Sequence, residues 1–273
     1  MMINYVTIRE AREMSGLRIV LGDFAIPIPW REACKGIFFV KGLKYTPVRS
    51  ANEGASDMQI GMDGTQTELI DWTAQASVPV VAWNDERPRT LWNDQLCLAE
   101  RLAPEPSLVP ASMEDRIRLF GFAHELMGEN GLLYNSRHFM SGPMIDSLPA
   151  DSPERELFAF FGRKYDYSDA ALAGATERIV EVLSALDAQL SAQRNSGSLY
   201  LVGDRLSALD IYWATSCGFI DPMPEDRCPM ISAFRNPLLY GTPNVAIERA
   251  LTSALRAHRD FIYEEHLELP IVF

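Results

Sequence analysis

The stretch "SVPVVAWNDERPRTLWNDQLCLAERLA", residues 77–103, shows how the first part of the chain folds. Two short apolar runs, "SVPVVAW" and "RTLW", flank the polar residues "NDERP", and this pattern predicts a hairpin with its turn residues in place. The residues that follow, "NDQLCLAERLA", carry apolar side chains at helical spacing and predict a helix. A hairpin followed by a helix closes a unit in which strands alternate with helices.

The residues before this stretch predict a strand, a helix and a second strand. "LRIVLG", residues 17–22, is a short apolar run that ends in glycine, and "LKYTPV", residues 43–48, is a second short run. Between them apolar residues recur at helical spacing until Gly42 ends the helix. This order predicts a right-handed parallel crossover. A polar loop at residues 49–66 and a short helix at residues 67–76 complete a mixed sheet, which is the layout of a thioredoxin-like α/β domain.

The proline-rich "PEPSLVPAS" that follows predicts a linker, and beyond it the strand signal almost disappears. We therefore divide the chain into a first domain of residues 1–103, a linker of residues 104–111 and a second domain of residues 112–273. Apolar residues at helical spacing predict an all-α helical bundle for the second domain. The clearest helical patterns are residues 112–131, 176–193, 207–220 and 244–266.

Composition argues against several classes of protein. The 273 residues carry a formal net charge of -12, which disfavours binding to nucleic acids or to anionic membranes. No apolar run approaches the ~20 residues that a membrane span needs, and the polar N-terminus is unlike a secretory signal. The four cysteines form no C-x-x-C pair, and the four histidines lack the spacing of a metal site. We therefore expect a cytoplasmic protein with reduced cysteines and no bound metal.

The two-part architecture and three motifs together resemble the glutathione transferase superfamily. "SVPVV" looks like the Val-Pro signature of that family, and "DQLCLAERL" is similar to its Glu-Ser motif, with Asp94 and Gln95 in those places. "YLVGDRLSALDIYWA", residues 200–214, looks like the stretch of the second domain that starts a helix at Ser207. The resemblance extends from Leu17 to about Phe219.

The resemblance implies that glutathione binds as a co-substrate along the first domain. The family places a cis proline at Pro79, and the backbone of Val78 then pairs with the cysteinyl part of glutathione as an added strand. Asp94 would accept the γ-glutamyl ammonium, while Gln95 and the helix N-terminus would bind the carboxylate. Asp94 has an ordinary structural interpretation as well, as an acid in the first turn of a helix.

The turn "GDFAIPIPWREACKG", residues 22–36, departs from the family at the position that activates the thiol. If it is aligned with the Ser-type and Cys-type classes, Ile28 falls where a hydroxyl or thiol is expected. If it is aligned with the Tyr-type classes, Asp23 or Phe24 falls at the tyrosine position. The catalytic residue is therefore unknown.

Two residues near this turn are candidates for roles in the site. Arg31 is a weak catalytic candidate that could neutralise a thiolate, and Trp30 could form an apolar wall of the glutathione site. Each could equally be a surface or packing residue of the first helical turn. Cys34 lies almost two turns into the helix among apolar neighbours and is predicted to belong to the core.

In the second domain, Tyr134, Arg137 and His138 could face an electrophile, or they could form the solvated basic end of a kinked helix. "CPMISAFRNPLLYGTP", residues 228–243, is predicted to be a surface loop. The resemblance implies a homodimer that conjugates or processes a small apolar electrophile with glutathione. The alternative is a catalytically silent transferase fold that serves as a binding or protein-interaction module, and Ile28 is the residue that favours it.

Overall fold

The computed structural model describes residues 3–22, 25–55 and 65–273. Its first part contains three strands and four helices, which are α1 (Ile8–Glu13), β1 (Leu17–Val20), α2 (Pro29–Val40), β2 (Thr46–Val48), α3 (Thr67–Thr73), β3 (Val80–Trp83) and α4 (Trp92–Leu102). The remainder is helical, with α5 (Met113–Met127), α6 (Leu132–Ser147), α7 (Pro153–Lys164), α8 (Asp169–Asn195), α9 (Ala208–Ile220), a 3-10 turn (Ser232–Phe234), α10 (Val245–Ala250) and α11 (Ser253–His266). The predicted order of a thioredoxin-like α/β part followed by an all-α part is confirmed.

The described strands form one mixed sheet in the order β2-β1-β3. Strand β1 pairs in parallel with β2, where Ile19 lies opposite Pro47, and in antiparallel fashion with β3, where Ile19 lies opposite Val81. Helix α2 connects the two parallel strands, so the predicted strand-helix-strand crossover is confirmed.

The predicted hairpin is much shorter than the sequence pattern suggested. Val81 and Arg89 exchange two backbone hydrogen bonds, of 2.9 and 2.7 Å, and form an isolated bridge. The segment "RTLW" does not continue as a strand because helix α4 already begins at Trp92, and Leu91 is its N-cap residue. The prediction of a second hairpin strand was therefore wrong.

The core joins the sheet to the helical part through α2 and α9. Every residue of α9 is buried and α2 packs against this helix, with Ala33, Cys34, Ile37 and Phe38 buried in the same core. Cys34 is therefore a core residue, as predicted, and burial raises the pKa of its thiol so that it stays protonated.

A buried carboxylate organises the start of α9. Asp210 Oδ2 accepts hydrogen bonds from the backbone N–H and the hydroxyl of Ser207, at 2.9 and 2.7 Å. Its Oδ1 accepts from the N–H of Leu201 at 2.8 Å and lies 2.9 Å from Nε2 of His258 in α11. The side chain of Asp210 thus links α9 to α11 and to the lead segment before α9 (residues 200–207).

Candidate functional site

A cleft of about 470 Å³ lies between the sheet-containing part and the helical part of the chain. It is lined by the turn before α2, the turn before β3, the start of α4, helices α5 to α7 and the segment after α9. The lining side chains are mainly apolar or aromatic, with a few polar groups among them. This size and character are typical of a small-molecule site.

The turn before α2 contributes hydrocarbon to the cleft. Ile26 and Ile28 both line it, and Pro29 occupies the first position of α2, where its fixed φ suits a helix start. Ile28 is the N-cap residue and cannot cap the helix with a side-chain acceptor. Asp23 and Phe24, the alternative positions for an activating group, lie outside the described residues.

Trp30 lies in the wall of the cleft and bridges the two parts of the chain. Its indole Nε1 donates a hydrogen bond to the carbonyl of Met127 at the end of α5, at 2.9 Å. The ring stacks on Tyr165 with centroids 6.2 Å apart and meets Tyr134 edge-on at 6.3 Å. These contacts form an apolar wall beside Ile28.

The turn before β3 lines the cleft opposite this wall. The Val78–Pro79 peptide is cis, as the resemblance implied, and Val78 is half-buried in the lining. The backbone N–H of Val78 has no hydrogen-bond partner among the described residues. Gln95 holds this turn because its Nε2 donates to the carbonyls of Pro79 and Arg89, at 3.0 and 3.3 Å.

Comparisons with known proteins agree with the overall fold. Residues 169–260 match the family model described as glutathione S-transferase, C-terminal domain. A glutathione S-transferase from Methylobacterium radiotolerans, in complex with glutathione sulfonate, is 14% identical, each chain is covered over 92% of its length, and the TM-score is 0.57. The chain has the fold of the glutathione transferases, and residues 169–260 match the model of their C-terminal domain.

Two other solved structures share this fold. Yeast Ure2p in complex with glutathione is 12% identical, with 92% of this chain and 97% of that chain covered at a TM-score of 0.55. The β-etherase LigF from Sphingobium is 16% identical, with 90% and 99% covered at a TM-score of 0.53. A search among curated proteins found no match. Within the part of the chain that the structure describes, no helix has both the length and the apolar character to cross a membrane.

The structure brings Trp30, Val78, Pro79 and Gln95 together around the cleft. Asp94 does not line it. Its carboxylate is 39% exposed and lies 3.8 Å from the guanidinium of Arg87. Its role as the acceptor of an ammonium group stays a prediction.

Arg31 also lies away from the cleft lining. It is 1% exposed, its Nε donates to Oε1 of Glu32 at 2.9 Å, and its guanidinium also donates to the carbonyl of Ile26. The ring of Phe273, the last residue, lies 5.5 Å from the guanidinium. Arg31 thus stabilises the turn before α2 through its hydrogen bond to Ile26. Its effect on a bound thiol stays a prediction.

The second part of the chain contributes residues that the sequence identified only in part. Tyr134 and Arg137 line the cleft, whereas His138 is buried outside its lining. The alternative of a solvated basic end is wrong, because Arg137 is 6% exposed and His138 is 7% exposed. Helices α5 and α6 are separate helices with Gly128 and Gly131 between them, not one kinked helix.

The segment of residues 228–243 is not a plain surface loop. Met230, Leu239 and Tyr240 are buried, and both Phe234 and Tyr240 line the cleft. The backbone N–H of Ile231 donates to the carbonyl of Ala25 at 2.9 Å, so the segment braces the turn before α2. The many apolar residues of this segment indicated burial. Its prolines and asparagine, which are typical of loops, led to the prediction of a surface loop.

Tyr134 places a hydroxyl group in the cleft wall next to Trp30. Burial is the main cause that raises the pKa of this phenol, and nearby Tyr165 and Glu129 add to the effect. The hydroxyl therefore stays protonated at neutral pH and can donate a hydrogen bond to an anion.

Proposed function

We propose that this chain is a cytoplasmic glutathione transferase-like protein that binds glutathione in the cleft as a co-substrate. The observation that carries this proposal is that Val78 lines the cleft and that its backbone N–H has no partner among the described residues. An extended peptide can pair with such an edge as an added strand, and glutathione is an extended peptide. Relatives of the same fold contain glutathione or glutathione sulfonate.

In this proposal the thiolate of glutathione attacks a small apolar electrophile. Trp30, Phe161 and Leu157 supply apolar surface for the electrophile. Tyr134 supplies a neutral donor in the same wall. The protein would conjugate or otherwise process the electrophile, and neither step needs a metal.

We also propose that the protein is a homodimer, as its resemblance to the glutathione transferase superfamily suggests. Helix α5 exposes Met113 and Ile117, which are 69% and 66% exposed and lie on one helical face. Apolar side chains paired in this way are suited to contact with a second copy of the chain.

A specific observation favours the alternative of a catalytically silent module. The side chains of Ile26 and Ile28 line the cleft at the turn where related enzymes place an activating group, and neither can donate a hydrogen bond. Ure2p, a relative in fold, is described as a prion protein with a nitrogen regulation fragment. The two functions differ in one measurable property, which is the pKa of the thiol of bound glutathione.

Replacing Ile28 by serine is expected to lower that pKa by about one to two pH units. A hydroxyl at this position would donate to the thiolate, and a hydrogen bond to a charged group contributes roughly 1.5–3 kcal/mol, while one pH unit corresponds to about 1.4 kcal/mol. The thiolate absorbance of the glutathione complex, measured against pH, gives the pKa directly. Ile26→Ser is the matched control, since Ile26 lines the cleft but precedes the helix N-cap by two residues.

The wild-type value separates the two functions. A pKa of bound glutathione close to that of the free thiol, lowered in Ile28→Ser only, would mean that the wild-type protein does not activate the thiol, which favours the silent module. A wild-type pKa already near ~6–7 and unchanged in Ile28→Ser would show that another group activates the thiol and that Ile28 is not at the activating position.

A further inference from the structure

Arg137 is a buried cation that lies against three aromatic rings and a thioether. It is 6% exposed and lines the cleft from α6. Its guanidinium carbon lies 4.4 Å from the ring centre of Phe219, 5.7 Å from that of Tyr165 and 5.9 Å from that of Trp30. No carboxylate among the described residues forms an ion pair with it, and its Nε is buried without a hydrogen-bond partner.

The aromatic neighbours do not provide acceptors for the N–H groups of the Arg137 guanidinium. Rings interact with the face of a guanidinium, while its five N–H donors point outward in the plane of the group. Of these donors, the Nη1 group lies 3.2 Å from the sulfur of Met140, which is a weak acceptor. A buried charge without an acceptor is costly, so the planar edge of Arg137 is suited to a ligand that brings an anion.

Tyr240 supplies a second donor at the same place. Its hydroxyl is buried without a hydrogen-bond partner, and its ring packs against Phe219 with centroids 4.6 Å apart. Burial raises the pKa of Tyr240 to about 12, and the nearby guanidinium of Arg137 opposes this rise. The phenol therefore remains a neutral donor close to Arg137.

The charge of the cleft favours an anion as well. Arg137 and Lys164 line it together with His124, and Glu129 is the acidic residue in the lining. Lys164 contacts the hydroxyl of Ser77 and lies 5.6 Å from the ring of Tyr165. With two cations and one carboxylate, the charged residues in the lining sum to a positive charge, although the chain as a whole carries a net charge of -12.

We propose that the second ligand of the cleft is a small apolar electrophile that carries a carboxylate, and that Arg137 and Tyr240 bind this carboxylate. A guanidinium binds a carboxylate through two parallel hydrogen bonds, which gives both affinity and orientation. The proposal rests on the proposed function for the role of the ligand as an electrophile. Glutathione also carries a glycyl carboxylate. We assign the site to the second ligand because Phe219, Tyr165 and Tyr240 all belong to the helical part of the chain.

Binding of a matched pair of probes tests the proposal without any need for turnover. Naphthalene-2-carboxylate and the neutral naphthalene-2-carboxamide are titrated calorimetrically into the wild-type protein, and glutathione is titrated separately. We expect the acid to bind at least about tenfold more tightly than the amide. Arg137→Gln should abolish this preference, and Tyr240→Phe should reduce it several-fold. Arg163→Gln is the matched control, since Arg163 is 64% exposed and pairs with Glu156 outside the cleft.

The outcomes separate the two sources of a carboxylate. Loss of the preference in Arg137→Gln with unchanged glutathione affinity supports the proposal. Equal binding of acid and amide by the wild type overturns it, and so does a preference that persists in Arg137→Gln. A fall in glutathione affinity in Arg137→Gln, with no acid preference in the wild type, would assign Arg137 to the glycyl carboxylate instead.

If Arg137→Gln does not fold, Tyr240→Phe carries the test, because it removes one hydroxyl and keeps the ring contact with Phe219. An acid preference retained in full in Tyr240→Phe would then overturn the proposal. The probes are titrated in the absence of glutathione, so a failure of the protein to bind glutathione would reject the proposed function while this preference stayed measurable.

Discussion

Replacing Asp210 by alanine is expected to lower the free energy of unfolding by about 3–5 kcal/mol, the cost typical of breaking a buried ion pair or charged network from one side. Asp210 is fully buried, and its carboxylate accepts from Leu201, from Ser207 and from the imidazole of His258 in α11. Alanine would leave two backbone N–H groups and a buried imidazole without their acceptor. Urea denaturation followed by circular dichroism measures the change.

Asp204→Ala is the control for this experiment. Asp204 lies in the same lead segment and is exposed, so its loss should change stability by no more than about 0.5 kcal/mol. A loss of less than 1 kcal/mol in Asp210→Ala, with the same dependence on urea, would contradict the assignment of Asp210 as the organiser of this part of the core.

Replacing Gln95 by leucine is expected to have the second largest effect, because it acts on both stability and binding. The side-chain amide of Gln95 is buried and donates to the carbonyls of Pro79 and Arg89. Leucine removes both hydrogen bonds at similar volume, which costs about 1–3 kcal/mol of stability. The turn that carries Val78 would lose its attachment to α4, and glutathione affinity should fall by roughly tenfold or more because the edge is no longer held in place.

Gln193→Leu provides a control of the same chemistry at a distance from the cleft. The amide of Gln193 donates to the carbonyls of Tyr200 and Gly203, at 3.0 and 2.8 Å. This variant should lose a comparable amount of stability and keep its glutathione affinity. Equal glutathione affinity in Gln95→Leu and the wild type would contradict a role of the turn before β3 in binding.

The sequence predicted those parts of the fold that depend on local patterns. The crossover from β1 through α2 to β2 followed from short apolar runs on either side of a helical period, and the structure confirms it. The prediction of a second hairpin strand was wrong. Thr90 and Leu91 fit a strand by composition, but Leu91 is the N-cap residue of α4, which begins at Trp92. Competition between adjacent elements of this kind is decided by packing, which a local pattern does not contain.

The sequence could predict a residue of the site only where that residue lies in or beside a recognisable motif. Trp30, Val78 and Gln95 lie in or beside such motifs, and they line the cleft. The surroundings of Arg137 come from four separate segments of the chain, so no spacing rule brings them together. Arg31 belongs to the first turn of a helix, a position that is often exposed, but the last residue of the chain, Phe273, covers it. Contacts between such distant residues become visible only in the folded structure.

Calorimetric titration of the wild-type protein with glutathione tests the central claim most directly. The account predicts saturable binding, with one site per chain and a Kd in the micromolar to millimolar range. The pairing of glutathione with the backbone of Val78 and its contacts with the turn held by Gln95 would supply that affinity. An absence of binding at millimolar glutathione would contradict the proposed transferase function and leave the silent binding module as the better description of this chain.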